Sequence, residues 1–292
     1  MESRRTYSLA WGRFRLELGI RTCIMGVLNV TPDSFSDGGA FFDTDAAVAH
    51  GERLVADGAD IIDVGGESTR PFSDAVSRDE EIRRVVPVIE RLAGRIPVPI
   101  SIDTAKAPVA EAAIAAGAGI INDVSALRSD PKMADTAARR GVPVVLMHMV
   151  GTPKTMQIDP AYDDLIQEIR RFLTDAVADA EKKGVDRSKL ILDPGIGFGK
   201  TVEHNCTLHR RLSEFADLGL PLLVGSSRKA FIRKTLGGTA EEALVPDHPL
   251  VETGSQAAVC AAIFNGAHIV RVHNVANTRA TADVADAILN AS

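Results

Sequence analysis

One unit recurs along this chain: a helical stretch, a glycine, and a short apolar run that ends in a polar residue. The clearest copies are DGADIIDV at 57–64, AGAGIINDV at 116–124 and NGAHIVRV at 265–272, with variants at 141–148 and 219–226. The glycine suits the position just after a helix, where the backbone takes a positive φ. A short β-branched run is typical of a strand buried on both faces. The repeat therefore predicts alternating helices and parallel strands.

Eight short buried strands follow from this pattern. They are predicted at 23–30, 61–64, 99–103, 120–124, 144–148, 190–193, 222–225 and 269–273. Eight β-α units in a chain of 292 residues favour an α/β fold, a single (β/α)8 TIM barrel. The alternative is a doubly wound open sheet, but no GxGxxG motif follows the first strand.

The segment before the first strand predicts a small β-hairpin. Residues 7–18 are apolar and aromatic, with a Trp-Gly break between two halves. We expect residues 1–20 to form a hairpin that caps the bottom of the barrel, and residues 23–292 to form the barrel itself. No linker or low-complexity segment divides the chain, so we expect one domain over 1–292.

Local signals place several boundaries within the predicted units. Ser77 opens a helix over 77–95 with a capping-box pattern. Asp130 is predicted to be the N-cap of another helix because a proline follows it. Apolar spacing predicts an amphipathic helix within 162–183. The least regular stretch, 236–255, is predicted to be a loop within the seventh unit.

The composition excludes several classes of protein. A net charge of −6 argues against a general nucleic-acid binder, because such proteins carry a basic stripe. No apolar run approaches the ~20 residues of a membrane span, and MESRRTYSLAWGR lacks the apolar core of a signal peptide. Cys23, Cys206 and Cys260 share no CxxC spacing, so we expect small buried residues rather than a disulfide or zinc site. These features predict a cytoplasmic protein without nucleic-acid or membrane partners.

Polar residues collect where the predicted strands end, which is where a TIM barrel carries its active site. Any one of them has even odds of being only a helix N-cap, but the set as a whole indicates a site. Arg70, in the loop 65–74, is either a solvated surface residue or an anion contact. The strand-end residues are Asn29, Asp63, Asp103, Asn122, His148, Asp193, Ser226, Ser227, Arg271 and His273, with Lys229 nearby.

The stretch DPGIGFGKT at 193–201 follows an apolar run and ends as a nucleotide-binding P-loop ends. A P-loop also needs a glycine five residues before Gly199, and that position holds Pro194. An ATP site is therefore the weakest alternative. A zinc hydrolase that uses His148 and His273 is disfavoured, because no HxH follows the first strand.

Eight motifs, in order, resemble the dihydropteroate synthase family over residues 23 to 275. They are GVLNVTPDSFSDGG, DVGGESTRP, SIDTAK, INDVSA, LMHMVGTPKTMQ, DPGIGFGKTVEHN, GSSRKAFI and IVRVH. The resemblance implies transfer of a pterin-methyl group from dihydropterin diphosphate to p-aminobenzoate, with release of diphosphate, in folate biosynthesis. It also implies Mg²⁺ near Asn29, small-molecule partners only, and a homodimer in which the apolar helix 257–267 is either contact or core.

The resemblance also implies a role for each matching residue. Asp193 would accept two hydrogen bonds from the pterin edge, Asp103 would face a cationic pterin methylene, and Arg271 would lie against the ring. Because aniline needs no strong base to attack a cation, no general base is named. The resemblance implies that Asp103, Lys229 and Arg271 are catalytic, and that the pterin is bound by Asp103, Asn122, Met147, Asp193, Phe198, Gly225, Lys229 and Arg271. It implies a diphosphate site formed by Asn29, Arg70, Arg271 and His273. The implied p-aminobenzoate site is formed by Phe35, Thr69, Pro71, Ser227 and Lys229.

Three positions depart from the pattern associated with the family. Asn274 and Phe72 replace an expected Asp and Gly, and ETGSQAA replaces the usual Gly-Thr before a helix. A non-catalytic pterin-binding homologue is therefore one alternative. A methyltetrahydrofolate:corrinoid methyltransferase is another, but it does not need the TPDSF, STRP and SRK motifs that are present here. Lys200 receives no role.

Overall fold

The computed structural model describes residues 4–31, 44–68, 75–152, 154–237 and 243–291. The chain starts with an antiparallel hairpin of β1 (Tyr7–Trp11) and β2 (Phe14–Leu18), in which Trp11 pairs with Phe14. The predicted hairpin is thus confirmed.

Eight parallel strands follow and form a barrel. They are β3 (Cys23–Asn29), β4 (Ile61–Gly65), β5 (Ile100–Asp103), β6 (Ile120–Asp123), β7 (Val144–Met147), β8 (Leu190–Asp193), β9 (Leu223–Val224) and β10 (Ile269–Val272). Their order is β8-β7-β6-β5-β4-β3-β10-β9, and a parallel bridge between Leu192 and Leu222 joins the two outer strands. The amide of Leu192 donates to the Pro221 carbonyl at 2.9 Å across this closure. The TIM-barrel prediction is confirmed.

Helices surround the strands. They are α1 (Thr44–Ala56), α2 (Arg78–Ala93), α3 (Ala107–Ala115), α4 (Met133–Arg140), α5 (Leu165–Lys182), α6 (Val202–Arg210), α7 (Ala230–Gly237), α8 (Pro249–Phe264) and α9 (Val275–Leu289). The repeat that predicted them works as expected, because Gly58, Gly117 and Gly266 have φ values of +103°, +118° and +101°. A residue with a side chain would be strained at each of these turns.

Two boundary predictions are wrong and two are confirmed, since α5 lies within the predicted range 162–183. Ser77 caps α2, accepting a hydrogen bond from the Glu80 amide at 3.3 Å. Asp130 is not the N-cap of α4, which begins three residues later. Its carboxylate accepts the amide of Lys132 at 3.0 Å and, at the start of α3, the amide of Ala107 at 2.9 Å. The stretch 236–255 is not one loop, because α8 begins within it at Pro249.

The hairpin lies against the amino-terminal ends of the strands. Trp11 packs on Gly119, just before β6, where a Cβ would be only 2.7 Å from the indole Nε1. Just before β10, His268 Nε2 contacts the carbonyl of Arg5 at 2.9 Å. The hairpin therefore caps the bottom of the barrel, and the opposite end, which we call the mouth, holds the carboxyl ends of the strands.

Other expectations concern cysteines and membranes. Cys23 is buried, but Cys260 is half-buried and Cys206 is exposed on α6, so the prediction of three buried thiols is wrong. Cys206 lies on the outward face of α6 between two polar neighbours, Asn205 and Thr207, which were the signal for its exposure. Within the described ranges, no helix has both the length and the apolarity to cross a bilayer.

Candidate active site at the barrel mouth

Arg271 organises the centre of the mouth. Its side chain, at the end of β10, donates from Nε to Asp63 Oδ2 at 2.6 Å and from Nη2 to Asp103 Oδ2 at 2.7 Å. Asn122 Nδ2 donates to the same Asp63 oxygen at 3.0 Å. One guanidinium thus joins the carboxylates of two neighbouring strands, and its planar fork suits this arrangement where an ammonium would not. Arg271 packs against Gly225: a Cβ added at Gly225 would lie 3.7 Å from the Cβ of Arg271.

Each of these two carboxylates uses only one oxygen in the contacts above. Asp63 Oδ1 and Asp103 Oδ1 are buried and accept no hydrogen bond from any described residue. Burial raises the pKa of Asp103 above its usual range, against the attraction of Arg271, and Asp63 raises it further. Buried unpaired oxygens are costly and rare in native proteins. Their concentration here indicates that a ligand supplies the missing donors or charge.

Asp193 ends β8 and begins a tight turn. Its Oδ1 accepts the amide of Gly195 at 2.7 Å. Burial raises the pKa of Asp193 to about 6, although Gly195, Lys229, Lys200 and Arg271 lower it. A carboxylate has about four lone-pair positions, so Asp193 retains acceptors for a ligand.

Three glycines shape the turn after Asp193. Gly195, Gly197 and Gly199 have φ values of +72°, +82° and +67°. A Cβ at Gly195 would lie 1.9 Å from the carbonyl oxygen of His148, and one at Gly197 would lie 2.9 Å from the stem of Lys229. The turn therefore packs directly against the end of β7 on one side and against the Lys229 side chain on the other. A side chain at Gly195 or Gly197 would prevent this packing.

An apolar wall stands beside the acids. Met147 and Phe198 are buried in a small cluster with Val124, Met149 and Met156 that is separate from the main core. The ammonium of Lys229 lies 4.1 Å from the centre of the Phe198 ring, a cation–π contact. The structure therefore places Asp193, Phe198 and Lys229 around one pocket edge.

The remaining residues predicted for the diphosphate and p-aminobenzoate sites are described here only in part. Ser227 Oγ contacts His273 Nδ1 at 3.0 Å, linking the turn after β9 to the end of β10. Asn29 ends β3, and its Oδ1 lies 3.8 Å from the point where a Gly65 Cβ would be, beside the carboxyl of Asp103. Phe35, Thr69, Arg70 and Pro71 lie outside the described residues, as does Phe72.

Two family departures have local explanations. Asn274 is the N-cap of α9, where its side chain accepts the amide of Asn277 at 3.1 Å, a task that Asn and Asp share. Ser255, in ETGSQAA, accepts the amide of Arg228 at 3.0 Å and donates to the Val251 carbonyl at 2.7 Å. It thereby ties α8 to the turn that carries Lys229.

Two residues at the mouth were not assigned to the site from sequence. Asp63 is the common partner of Arg271 and Asn122, although it was noted only as a strand-end acid. Lys200 is 3% exposed and contacts His148 Nδ1 at 2.9 Å. The sequence signal for Lys200 was its position after three glycines in a loop at a strand end. The sequence does not indicate whether such a side chain points into the protein or into solvent. The side chain of Lys200 points into the protein.

Comparison with known proteins agrees with this site. The family "Pterin binding enzyme" matches residues 25–273. A dihydropteroate synthase of Escherichia coli (strain K12) is 48% identical over 268 residues, which are 92% of this chain and 92% of the relative.

Two solved structures of a Xanthomonas albilineans dihydropteroate synthase are also similar. The one with 4-aminobenzoic acid has a TM-score of 0.89 and 45% identity, covering 99% of this chain and 100% of the other. The one with 7,8-dihydropteroate has a TM-score of 0.85 and 43% identity, covering 98% and 100%.

The chain therefore belongs to the pterin-binding enzymes, a family that the barrel and its acidic mouth fit. Within that family it belongs to the dihydropteroate synthases, which are transferases of folate biosynthesis. This excludes the ATP-binding and zinc-hydrolase alternatives as descriptions of the chain.

Proposed function

We propose that the chain joins 6-hydroxymethyl-7,8-dihydropterin diphosphate to p-aminobenzoate at the barrel mouth, forming 7,8-dihydropteroate and diphosphate. The observation that carries this proposal is the buried set of acids and cations there, with carboxylate oxygens left for a ligand. The similar structures that hold 4-aminobenzoic acid and 7,8-dihydropteroate support the choice of substrates.

Asp193 is proposed to recognise the pterin. The ring presents two donors side by side, N3–H and the 2-amino group, and a carboxylate can accept both. Asn122 would add a mixed donor and acceptor, and Lys229 would donate to O4 or N5. Met147 and Phe198 would form the apolar wall, with Gly225 leaving room for Arg271 against the ring face.

The bond-breaking step is proposed to be dissociative. The methylene carbon–oxygen bond breaks, and its electron pair leaves with the diphosphate. The remaining cation is shared with the pterin ring, and the free oxygen of Asp103 would stabilise it. The amine lone pair then forms the new carbon–nitrogen bond, and the ammonium proton leaves to solvent.

Asp63 would hold Arg271 in place during this step. Arg271 is held by donating to Asp63 and Asp103 before any substrate is present. Preorganised charge of this kind is commonly the largest catalytic contribution. Arg271, His273, Asn29 and Arg70 would contact the diphosphate, while Ser227, Lys229, Phe35, Thr69 and Pro71 would form the p-aminobenzoate side.

Enzymes of this family use a divalent metal ion, and we propose Mg²⁺ here. The residues allow this choice, because Asn29 Oδ1 and the carboxyl carbon of Asp103 lie 3.8 and 3.9 Å from the position that a Cβ of Gly65 would take. Both offer the hard oxygen atoms that Mg²⁺ prefers, and Mg²⁺ commonly uses few protein ligands together with phosphates and water. When bound, the ion would neutralise charge on the diphosphate.

Purified protein incubated with the dihydropterin diphosphate, Mg²⁺ and p-aminobenzoate should release diphosphate and form dihydropteroate in equal amounts. Both products are measured, by a coupled phosphate assay and by chromatography. Pterin binding without product would instead identify a non-catalytic pterin-binding homologue. Methyl transfer from methyltetrahydrofolate would favour the corrinoid methyltransferase alternative.

We also propose a homodimer. Exposed apolar side chains occur on α8 and α9, at Leu250, Val284 and Ile288, and these two helices pack against each other. Most of the segment 257–267 lies on α8 and is partly buried, so it is both core and candidate contact. Light scattering on the purified chain should give about twice the monomer mass of 31.1 kDa; the monomer mass at micromolar concentration would overturn the proposal.

A further inference from the structure

Lys200 is a buried cation without an assigned role. Its side chain is 3% exposed, and its ammonium donates to the Phe198 carbonyl at 2.9 Å and contacts His148 Nδ1 at 2.9 Å. Both acceptors are neutral groups, a carbonyl and an imidazole. Burying an ammonium that hydrogen-bonds to no carboxylate among the described residues is costly, so its retention indicates a purpose other than stability.

The two acceptors of Lys200 belong to the two segments that build the proposed pterin pocket. His148 follows Met147 at the end of β7, and its amide donates to the Asp193 carbonyl at 2.9 Å. The carbonyl of His148 also presses on Gly195. Phe198 forms the pocket wall on the other segment. Lys200 therefore joins the β7 end to the turn after Asp193 through one side chain.

Other side chains hold the same turn from outside. Gln157 Nε2 donates to the Gly197 carbonyl at 2.7 Å, and Tyr162 Oη donates to the Gly199 carbonyl at 2.8 Å. Asn205 Oδ1 accepts the Gly197 amide at 2.7 Å. Tyr162 also reaches His148 through a ring contact, with 6.1 Å between the ring centroids. Of these side chains, Lys200 alone carries a charge and hydrogen-bonds to both segments.

That charge acts on the groups around it. Burial raises the pKa of Asp193, and the nearby charges of Lys229, Lys200 and Arg271 each lower it. Burial lowers the pKa of Lys200 to about 7, with Asp193 opposing this and Lys229 adding to it. His148 stays neutral, because burial, Lys200 and Arg128 lower its pKa to about 2. Neutral His148 can therefore accept from Lys200 throughout the range in which Asp193 titrates.

We propose that Lys200 is a positioning residue for the pterin pocket: its ammonium ties His148 to the Phe198 carbonyl and holds the turn after Asp193 in its pocket-forming shape. The inference rests on the proposed function, since it assigns Lys200 to the same pocket. It does not require Lys200 to touch substrate.

The first test compares Lys200→Met with the wild type and with Lys182→Met, a control at an exposed position on α5. The dissociation constant for dihydropterin diphosphate is measured by calorimetry from pH 5 to 8, and the KM for p-aminobenzoate at pH 7.5. In Lys200→Met we expect pterin affinity to fall about 10- to 100-fold at pH 7, with a smaller change in that KM. The acid limb of pterin binding should also move up by about one pH unit, because Asp193 loses a nearby cation.

A second pair of variants decides the matter if Lys200→Met does not fold. His148→Asn keeps an acceptor close to the position of Nδ1, whereas His148→Leu removes it. We expect the first to bind pterin within about threefold of wild type and the second to lose about tenfold or more. Equal affinity in the two His148 variants would overturn the proposal.

Unchanged pterin affinity in Lys200→Met would also overturn the proposal. So would equal losses of affinity for pterin and p-aminobenzoate together with an unchanged pH dependence of pterin binding, because that result indicates a lysine with only a structural role. Failure of the proposed function has a different signature. In that case the wild type itself neither binds dihydropterin diphosphate nor forms dihydropteroate.

Discussion

The two ends of the barrel treat buried charge in opposite ways. At the bottom, both carboxylate oxygens of Asp286 have partners. They accept the amide of Thr22 at 2.6 Å and the hydroxyl of Thr22 at 2.8 Å, and the carboxylate pairs with Arg4. Asp60 likewise accepts the Ile24 amide at 2.9 Å and pairs with Arg21. At this end the acids join the chain termini and the hairpin to the barrel.

At the mouth, comparable acids keep unused oxygens. Asp63 and Asp103 share Arg271 but each retains a buried oxygen without a partner among the described residues, and burial raises the pKa values of Asp103 and Asp193. Bottom acids are satisfied by the fold, whereas mouth acids remain incomplete until something binds. The difference indicates that the bottom was arranged for stability and the mouth for a ligand, as other TIM barrels divide these tasks.

The largest effect should follow from changing the central cation of the mouth. Arg271→Lys keeps a charge but loses the planar fork that spans Asp63 and Asp103, so dihydropteroate formation should fall about 100- to 1,000-fold. Steady-state kinetics measure this. Arg279→Lys is the matched change at the bottom, where Arg279 contacts Asp60 at 3.5 Å, and should alter the rate by less than about twofold. Equal losses in the two variants would remove the distinction between the ends.

The largest stability effect should come from the bottom. Asp286→Ala leaves two buried donors of Thr22 and the cation of Arg4 without their acceptor, so the free energy of unfolding should fall by about 3 kcal/mol. Urea denaturation measures the loss, and kcat/KM of the folded variant should stay near the wild-type value. A selective fall in kcat/KM without a loss of stability would contradict the division of tasks.

The smallest effect tests an exception at the bottom. Trp11 Nε1 is buried there without a hydrogen-bond partner among the described residues. Trp11→Phe removes that unpaired donor together with some packing on Gly119, so the two effects should nearly cancel, within about 1 kcal/mol. A much larger loss of thermal stability would show that the indole nitrogen has a partner.

Sequence predicts the barrel well because its signals are local. Glycines at helix ends and short β-branched runs placed most strands within one or two residues of their observed bounds. Asp130 was misread because it caps α3 across space rather than the helix that follows it. A rule based on neighbouring residues could not predict the contact with the Ala107 amide, which lies 23 positions away in the sequence.

The site was only partly predictable for the same reason. Strand-end residues such as Asp193 and Asn122 could be selected by position, since all strands end at one face. The pairing of Arg271 with Asp63 spans 208 positions, and the inward direction of Lys200 depends on a turn of three glycines. These relations exist only once the barrel has closed.

Asp193→Asn tests most directly whether the mouth keeps buried charge for a ligand. The folded pKa of Asp193, about 6, lies above its ordinary value of 3.8. The associated stabilisation is therefore present below pH 4 and is lost as the pH rises through 6, so ionised Asp193 weakens the fold at pH 7.5 by at most roughly 3 kcal/mol.

The side-chain amide introduced by Asp193→Asn carries no charge but cannot accept two hydrogen bonds from the pterin edge. Calorimetry and thermal unfolding at pH 7.5 should therefore show dihydropterin diphosphate affinity reduced about 100-fold with a melting temperature equal to or above that of the wild type. Pterin affinity within about threefold of wild type, or a lower melting temperature at this pH, would contradict the account.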